Sequence, residues 1–246
     1  MPRQLHLGGF QIASQVTHSN AAWRHPGSTG DYFDPAYYHR LGRTLERGKF
    51  DFVFFADLLA APNRYGAGIE EALRRGTQAT ATLDPTLVAT SIAAVTEKLG
   101  VAVTKSTTYF HPYEVARAYA TLDHISRGRS GWNVVTSLNA AEAQNFGADD
   151  HLEHDLRYDR ADEFLRVTEK LWSGWDADAI VADKASGRYI DPAKVRATRP
   201  RGRVLPRPRP AQRATLPAGP PRADPGRLVE QGQGLRRALG RGDLRD

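Results

Sequence analysis

The stretch VAVTKSTTYFHPYEVARAYATLDHISRGRSGWNVVTS, residues 101–137, decides how the chain folds. It opens on the β-branched run VAV (101–103), closed by Thr104, and ends on WNVV (132–135), closed by Thr136 and Ser137. Between the two runs Val115, Tyr119, Leu122 and Ile125 recur at helical spacing. Pro112 stands where a first helical turn accepts proline, and Gly128 stands just past the last turn. Strand, amphipathic crossover helix and strand make a βαβ unit, and such a connection between parallel strands is right-handed.

The same unit recurs on both sides. Upstream, residues 5–10 read as a first strand, weakened by two glycines. Asp34-Pro35 caps and opens a helix that carries Tyr38, Leu41 and Leu45 on one face and stops at Gly48. FVFFA, between Asp51 and Asp57, is apolar without alternation, as expected of a parallel strand buried on both faces. Residues 58–83 are polar and glycine-rich and read as one long loop, of the kind that serves as a lid. Asp84-Pro85 repeats the helix start, with Leu87, Val88, Ile92, Val95 and Leu99 as the apolar face and Gly100 as the stop.

Downstream, a loop with Asn139, Asn145 and Gly147 leads to HLEHDLRYDRADEFLRVTEKLW (151–172). Its second half is helical, with Phe164, Leu165, Thr168, Leu171 and Trp172 at core spacing. Residues 179–182 and 188–190 suit a small hairpin. Four βα units by residue 173 argue for an α/β fold, a parallel sheet with helices outside it. Ligands of such sheets bind beyond the carboxyl ends of the strands, where Asp57, Thr104, Thr136 and Ser137 stand.

Composition removes several function classes. There is no cysteine, so disulfides, thiolate metal sites and cysteine nucleophiles are excluded. The opening MPRQLHLGGFQIAS holds no long apolar run, so neither a signal peptide nor a membrane span is expected, and a cytoplasmic location is. The net charge of +6 is unevenly spread: residues 196–246 hold 13 Arg against 4 acidic residues, while the first 195 residues carry a net −3. GRTLERGK (42–49) has five residues between its glycines and Phe50 after its lysine, so it is a helix end and not a phosphate loop. No G-x-G-x-x-G follows a strand. His151, Glu153 and His154 cluster without a second ligand pair, and no metal site is expected. His111, after the third strand, serves either as a substrate contact or as a plain loop residue.

TLDHISRGRSGWNVVTS (121–137), preceded by STTYFHPYEVARAYA (106–120), closely resembles the nitrilotriacetate and dibenzothiophene-sulfone monooxygenases, a branch of the bacterial luciferase-like flavin enzymes. The likeness extends through AWRHP (22–26), FFAD (54–57) and EHDLRY (153–158), and covers residues 5–195. The resemblance implies a (β/α)8 TIM-barrel fold of which the first half, about four βα units, is recognisable. It implies reduced FMN (FMNH2), supplied by a separate flavin reductase, which activates O2 to oxidise a small organic substrate. FMN contacts carry over to Asp57 and Thr104 at strand ends and to His154 and Tyr158 ahead of the last helix. His154 and Tyr158, four apart, share a face on a helical turn. The family's further serine contact lies beyond residue 195 and has no counterpart here. A deazaflavin-dependent oxidoreductase of the same superfamily fits the central motif less well. Four of eight strands leave two open parallel edges and an uncovered core, which invites pairing with another copy. Loss of activity in a poorly folded remnant is the main alternative.

Residues 196–246 differ in kind. Of 51 residues, 13 are Arg, 8 Pro, 7 Gly and 6 Ala, with no Lys, Ile or aromatic residue, so a packed core is not expected and disorder is. The domain boundary therefore falls at residue 195. An arginine arm for nucleic acid and a proline-rich linker are two readings; the first would show steep salt dependence. The reading favoured is translation of a GC-rich gene in a shifted frame, since Arg, Pro, Gly and Ala have GC-rich codons. Resequencing across the codon for Arg196 is expected to reveal the frame change, and an unaltered frame there would reject it.

Overall fold

The computed structural model describes residues 5–15, 21–63 and 68–197. The expectations for the arginine-rich segment beyond Ala197 lie outside the described residues.

Strands β1 (Gly8–Ile12), β2 (Phe52–Ala56), β3 (Gly100–Ser106) and β4 (Ser130–Val135) pair in parallel in the order β1-β2-β3-β4. Each is joined to the next through a helix. These are α1 (Pro35–Arg47), then α2 (Glu70–Arg75) with α3 (Pro85–Ala94), then α4 (Pro112–Ser126). After β4 come α5 (Ala141–Asn145), α6 (His154–Trp172) and an antiparallel hairpin of β5 (Ile180–Asp183) and β6 (Arg188–Ile190). Strand order that follows chain order, with right-handed crossovers, puts every helix on the same face and never reverses direction. That is the winding of a (β/α)8 barrel, not of a doubly wound sheet. Four of its βα units are present among the described residues.

The helix-facing side holds the core. Val53, Phe55, Val101, Val103, Trp132 and Val134 alternate toward it and pack on Ala89, Ile92, Val115, Tyr119, Phe164 and Trp172. Three of the large buried aromatic residues have their polar atoms satisfied. Tyr119 donates to the Val103 carbonyl at 2.6 Å, Trp132 to that of Lys105 at 3.1 Å, and Trp172 to that of Ala116 at 2.9 Å. The opposite, inner face carries Phe10, Phe52, Phe54, Ala56 and Ala102. Phe54 and Ala102 are buried there, with Phe10 edge-to-face on Phe54 at 5.0 Å, so this face is less open than four strands alone lead one to expect.

Helix starts follow the sequence reading. Asp34 accepts from the Ala36 amide, Asp84 from Thr86 and His111 from Tyr113, each ahead of a first-turn proline. His111 thus has a capping role.

Several expectations are corrected. The first strand covers residues 8–12, not 5–10, because its glycines are sites of close approach: a Cβ at Gly8 would lie 2.6 Å from the Phe52 ring. The expected long loop contains α2, and the segment after β4 contains α5. Helix α3 ends at Ala94, well before Gly100, and Leu87 is exposed because Val88, Ala89, Ile92 and Ala93 form the buried stripe. Ile125 likewise faces solvent. Strand β3 continues to Ser106, so Thr104 is inside it. Helix α6 begins at His154, so His154 and Tyr158 belong to its first turns.

At the amino ends of the strands Arg129 holds the structure together. Its guanidinium donates to the carbonyls of Ala93 (3.0 Å), Thr96 (2.9 Å) and Ser126 (2.6 Å), and also to that of Leu99. Glu46 on α1 accepts the amides of Glu97, Lys98 and Leu99 from the same turn. These carbonyls and amides are the groups a helix end leaves without partners. Arg129→Ala is expected to lower unfolding stability by about 2–4 kcal/mol, since several acceptors lose a charged donor together; urea denaturation followed by circular dichroism measures it.

Candidate functional site

The loops that leave the carboxyl ends of β2 and β3 enclose a cleft of about 370 Å³. Its walls include Leu58, Leu59, Leu83 and Phe110, and its polar groups are Asp57, Thr82, Asp84, Lys105 and Asn145. Lys105 is the organising charge. It sits near the end of β3 with its side chain only 10% exposed, donates to Asp84 Oδ2 at 3.1 Å, and lies 4.4 Å from the Phe110 ring centroid. Asp84 has two tasks, because its other oxygen caps α3.

Asp57 follows β2 directly and lines the cleft. Burial pushes its carboxyl up to about 6; Lys105 opposes the rise, while the charges of Asp84 and Glu142 add to it. Burial also works against the Asp84 carboxylate, but contact with Lys105 and the Thr86 amide hold it below the usual carboxylate range. Two carboxyl groups in one cleft are thus set apart by their surroundings.

Thr104 is buried in β3, where it donates to the Phe55 carbonyl at 2.8 Å and accepts from Asn133 at 3.0 Å. Strand alternation sends it to the inner face, away from Lys105. Its hydrogen is committed, so a ligand would meet it as an acceptor. His154 and Tyr158 stand on the first turns of α6 with ring centroids 4.8 Å apart, and His154 Nδ1 lies 3.0 Å from Asp155. The four residues therefore occupy three places: Asp57 in the cleft, Thr104 on the inner face, and the His154–Tyr158 pair on the first turns of α6.

Further groups complete the rim. On α5, Glu142 accepts the Leu59 amide at 3.4 Å and Asn145 donates to the Leu59 carbonyl at 2.7 Å, which pins the segment after Asp57. Tyr109 stacks on Phe146 at 4.8 Å and bonds His151, and Arg157 reaches the Ser137 carbonyl at 2.7 Å. Lys105 did carry a signal, a charge inside the apolar strand GVAVTKS. Burial of Glu142 in a polar stretch did not. Among the described residues no group of three or more His, Cys, Asp or Glu is placed to hold a metal, and no helix is long and apolar enough to cross a membrane.

The fold defines a (β/α)8-type protein, with a cleft at the carboxyl ends of the strands. The sequence profile of the luciferase-like monooxygenases matches residues 11–221, and the chain belongs to that family. It is 54% identical over 193 residues to dibenzothiophene-sulfone monooxygenase of Rhodococcus erythropolis strain XP, an alignment covering 78% of this chain and 43% of the relative. The structure of long-chain alkane monooxygenase matches 89% of this chain and 51% of its own, with TM-score 0.80 and 38% identity. That of riboflavin lyase, solved with modified FMN and substrate riboflavin, matches 89% and 48%, with TM-score 0.80 and 36% identity. The chain spans about half the length of these relatives.

Asp57 links the site to stability. Its folded-state pKa of about 6 exceeds the ordinary 3.8, so the folded chain binds more protons than the unfolded one between those values. This group's contribution thus favours the folded state at low pH and is lost as pH rises through about 6. Asp57→Asn is expected to stabilise the chain at pH 7.5, with the gain vanishing near pH 4; paired urea melts at the two pH values measure it.

Proposed function

We propose that the chain is the flavin-binding N-terminal part of a monooxygenase, residues 1–195 forming the unit, that oxidises a small organic substrate with O2. Reduced FMN comes from a separate flavin reductase. The observation that carries the reading is the cleft at the end of β2, where Leu58, Leu59, Leu83 and Phe110 meet Asp57, Asp84 and Lys105. Its volume of about 370 Å³ lies in the range of small-molecule sites, and a lining that sets apolar side chains beside charged and polar ones suits a ring system with a polar edge. The FMN of the riboflavin lyase structure supports the choice of cofactor.

In this reading Asp57 meets the flavin in the cleft, Thr104 meets the part of it that reaches the inner face, and Leu58, Leu59 and Phe110 exclude water from the ring. His154 and Tyr158 close over the cofactor from the rim. Their place at the start of α6, whose N-cap Glu153 makes no side-chain cap bond, suits a negatively charged group. When bound, the reduced flavin supplies the electrons and activates dioxygen. The protein's own work is to orient the ring, shield it from water and present Asp57, whose carboxyl burial raises to about 6.

The unpaired outer edges of β1 and β4, among the described residues, suit assembly with a second copy. A cytoplasmic setting, with a reductase nearby, completes the proposal.

Titration of the purified chain with FMN, followed by flavin fluorescence, tests it. Saturable binding is expected, weakened at least about tenfold in Asp57→Ala and in His154→Ala, the loss of a charged or aromatic contact. Substrate-dependent oxygen uptake with a reductase present is the second expected result. Absence of FMN binding by the folded chain would reject the proposal.

A further inference from the structure

Three side chains on three different segments of the carboxyl-end rim form a connected chain of hydrogen bonds. Arg157, on α6, lies with Nη1 against His151 Nε2 and 2.7 Å from the Ser137 carbonyl. His151, before α6, has its Nδ1 against the Tyr109 hydroxyl. Tyr109, between β3 and α4, has its ring stacked on Phe146 at 4.8 Å and 13°.

The proton positions follow from what each group can do. Arg157 Nη1 bears two hydrogens, one for Ser137 and one for His151, and a guanidinium has no acceptor. His151 Nε2 therefore accepts. A neutral imidazole with an accepting Nε2 carries its hydrogen on Nδ1, and that hydrogen points at Tyr109. A doubly protonated ring would set N–H against N–H at Arg157. The Tyr109 oxygen thus accepts from His151, and its own hydrogen faces elsewhere. A phenol hydrogen prefers the plane of its ring, which leaves two directions; the His151 N–H occupies one.

We infer that Arg157, His151 and Tyr109 form an orienting relay that fixes His151 as the Nδ1–H tautomer and turns the Tyr109 hydroxyl hydrogen outward as a donor to a carbonyl or anionic oxygen of the ligand. The ligand part of this inference rests on the flavin reading above. Among the described residues Tyr109 has no hydrogen-bond partner other than His151, so its hydrogen is available. Burial, with the nearby charge of Glu142, raises the phenol to about 12, which keeps it protonated and a donor at neutral pH. Tyr109 is the group that would touch the ligand, whereas His151 and Arg157 are positioning residues.

The relay also explains how three segments keep one arrangement. Ser137 ends the β4 segment, His151 closes the following connection, and Arg157 lies one turn into α6, between His154 and Tyr158. Fixing Arg157 therefore fixes the helical turn on which the His154–Tyr158 pair stands.

The test is a long-range proton–nitrogen correlation spectrum of the ¹⁵N-labelled full chain at neutral pH, with His151→Gln to assign the ring. His151 is expected to show a protonated Nδ1 and a bare Nε2. Tyr109→Phe should keep that tautomer, because Arg157 still occupies Nε2, whereas Arg157→Gln should release it. A protonated Nε2, or averaging of both forms in the unaltered chain, would overturn the relay. The donor role is read separately with FMN as the probe. Tyr109→Phe is expected to weaken binding about fivefold, the worth of one hydrogen bond, and unchanged affinity would overturn it. If the unaltered chain bound no FMN, the flavin reading and the donor role would fall together, while the tautomer would still decide the relay.

Discussion

The parallel pairing of β1 to β4 in chain order is the constraint on which everything else depends. Each strand takes its neighbour's register, Val101 opposite Val53 and Ser130 opposite Val101, so four chain segments reach the same end together. Right-handed crossovers then place α1, α3, α4 and α6 on one side, where the aromatic core forms around Trp132 and Trp172. The end where strands give way to helices collects the caps Asp34, Asp84 and His111 together with the cleft. The opposite end collects Glu46 and Arg129, whose work is structural. The cleft and the Glu46–Arg129 clamp are therefore separated along the strand axis, as in other barrels of this winding.

That separation bears on what the central motif means. TLDHISRGRSGWNVVTS carries the family likeness, yet much of it serves the fold. Leu122, Asp123, Ser126 and Ser130 are buried, Ser130 donates to Asp123 at 2.9 Å, and Arg129 grips the end of α3. Only the last residues of the string reach the carboxyl end. A motif specific enough to identify a family is here mainly a record of how β4 is fastened under α4.

Where one local cue decided an element, the sequence was legible. Asp-Pro before α1 and α3, the unbroken apolar run of β2 and the hairpin of β5 and β6 all read directly. Reading failed where tertiary packing overrode periodicity. Leu87 satisfied the helical spacing but the neighbouring helices take the narrow stripe of Val88, Ala89, Ile92 and Ala93 instead. The glycines of β1 looked like weakness and are sites of close approach. At the cleft, Asp57 was readable because it ends a strand. Lys105 and Glu142 were less so, since their importance lies in burial and in partners distant along the chain, 21 residues for Lys105 with Asp84 and 83 for Glu142 with Leu59.

The double use of Asp84 restricts how this site can diverge. One oxygen begins α3 and the other neutralises Lys105, so a substitution that retunes the cleft's charge also unfastens a core helix. Selection acting on ligand preference meets a penalty there that has nothing to do with the ligand. The freer route is the segment after β2, where Leu58 and Leu59 line the cleft from outside the hydrophobic core. In a lineage of such proteins the lysine–aspartate pair would stay still while the walls around it change, and new specificity would arrive as altered contour around an old charge.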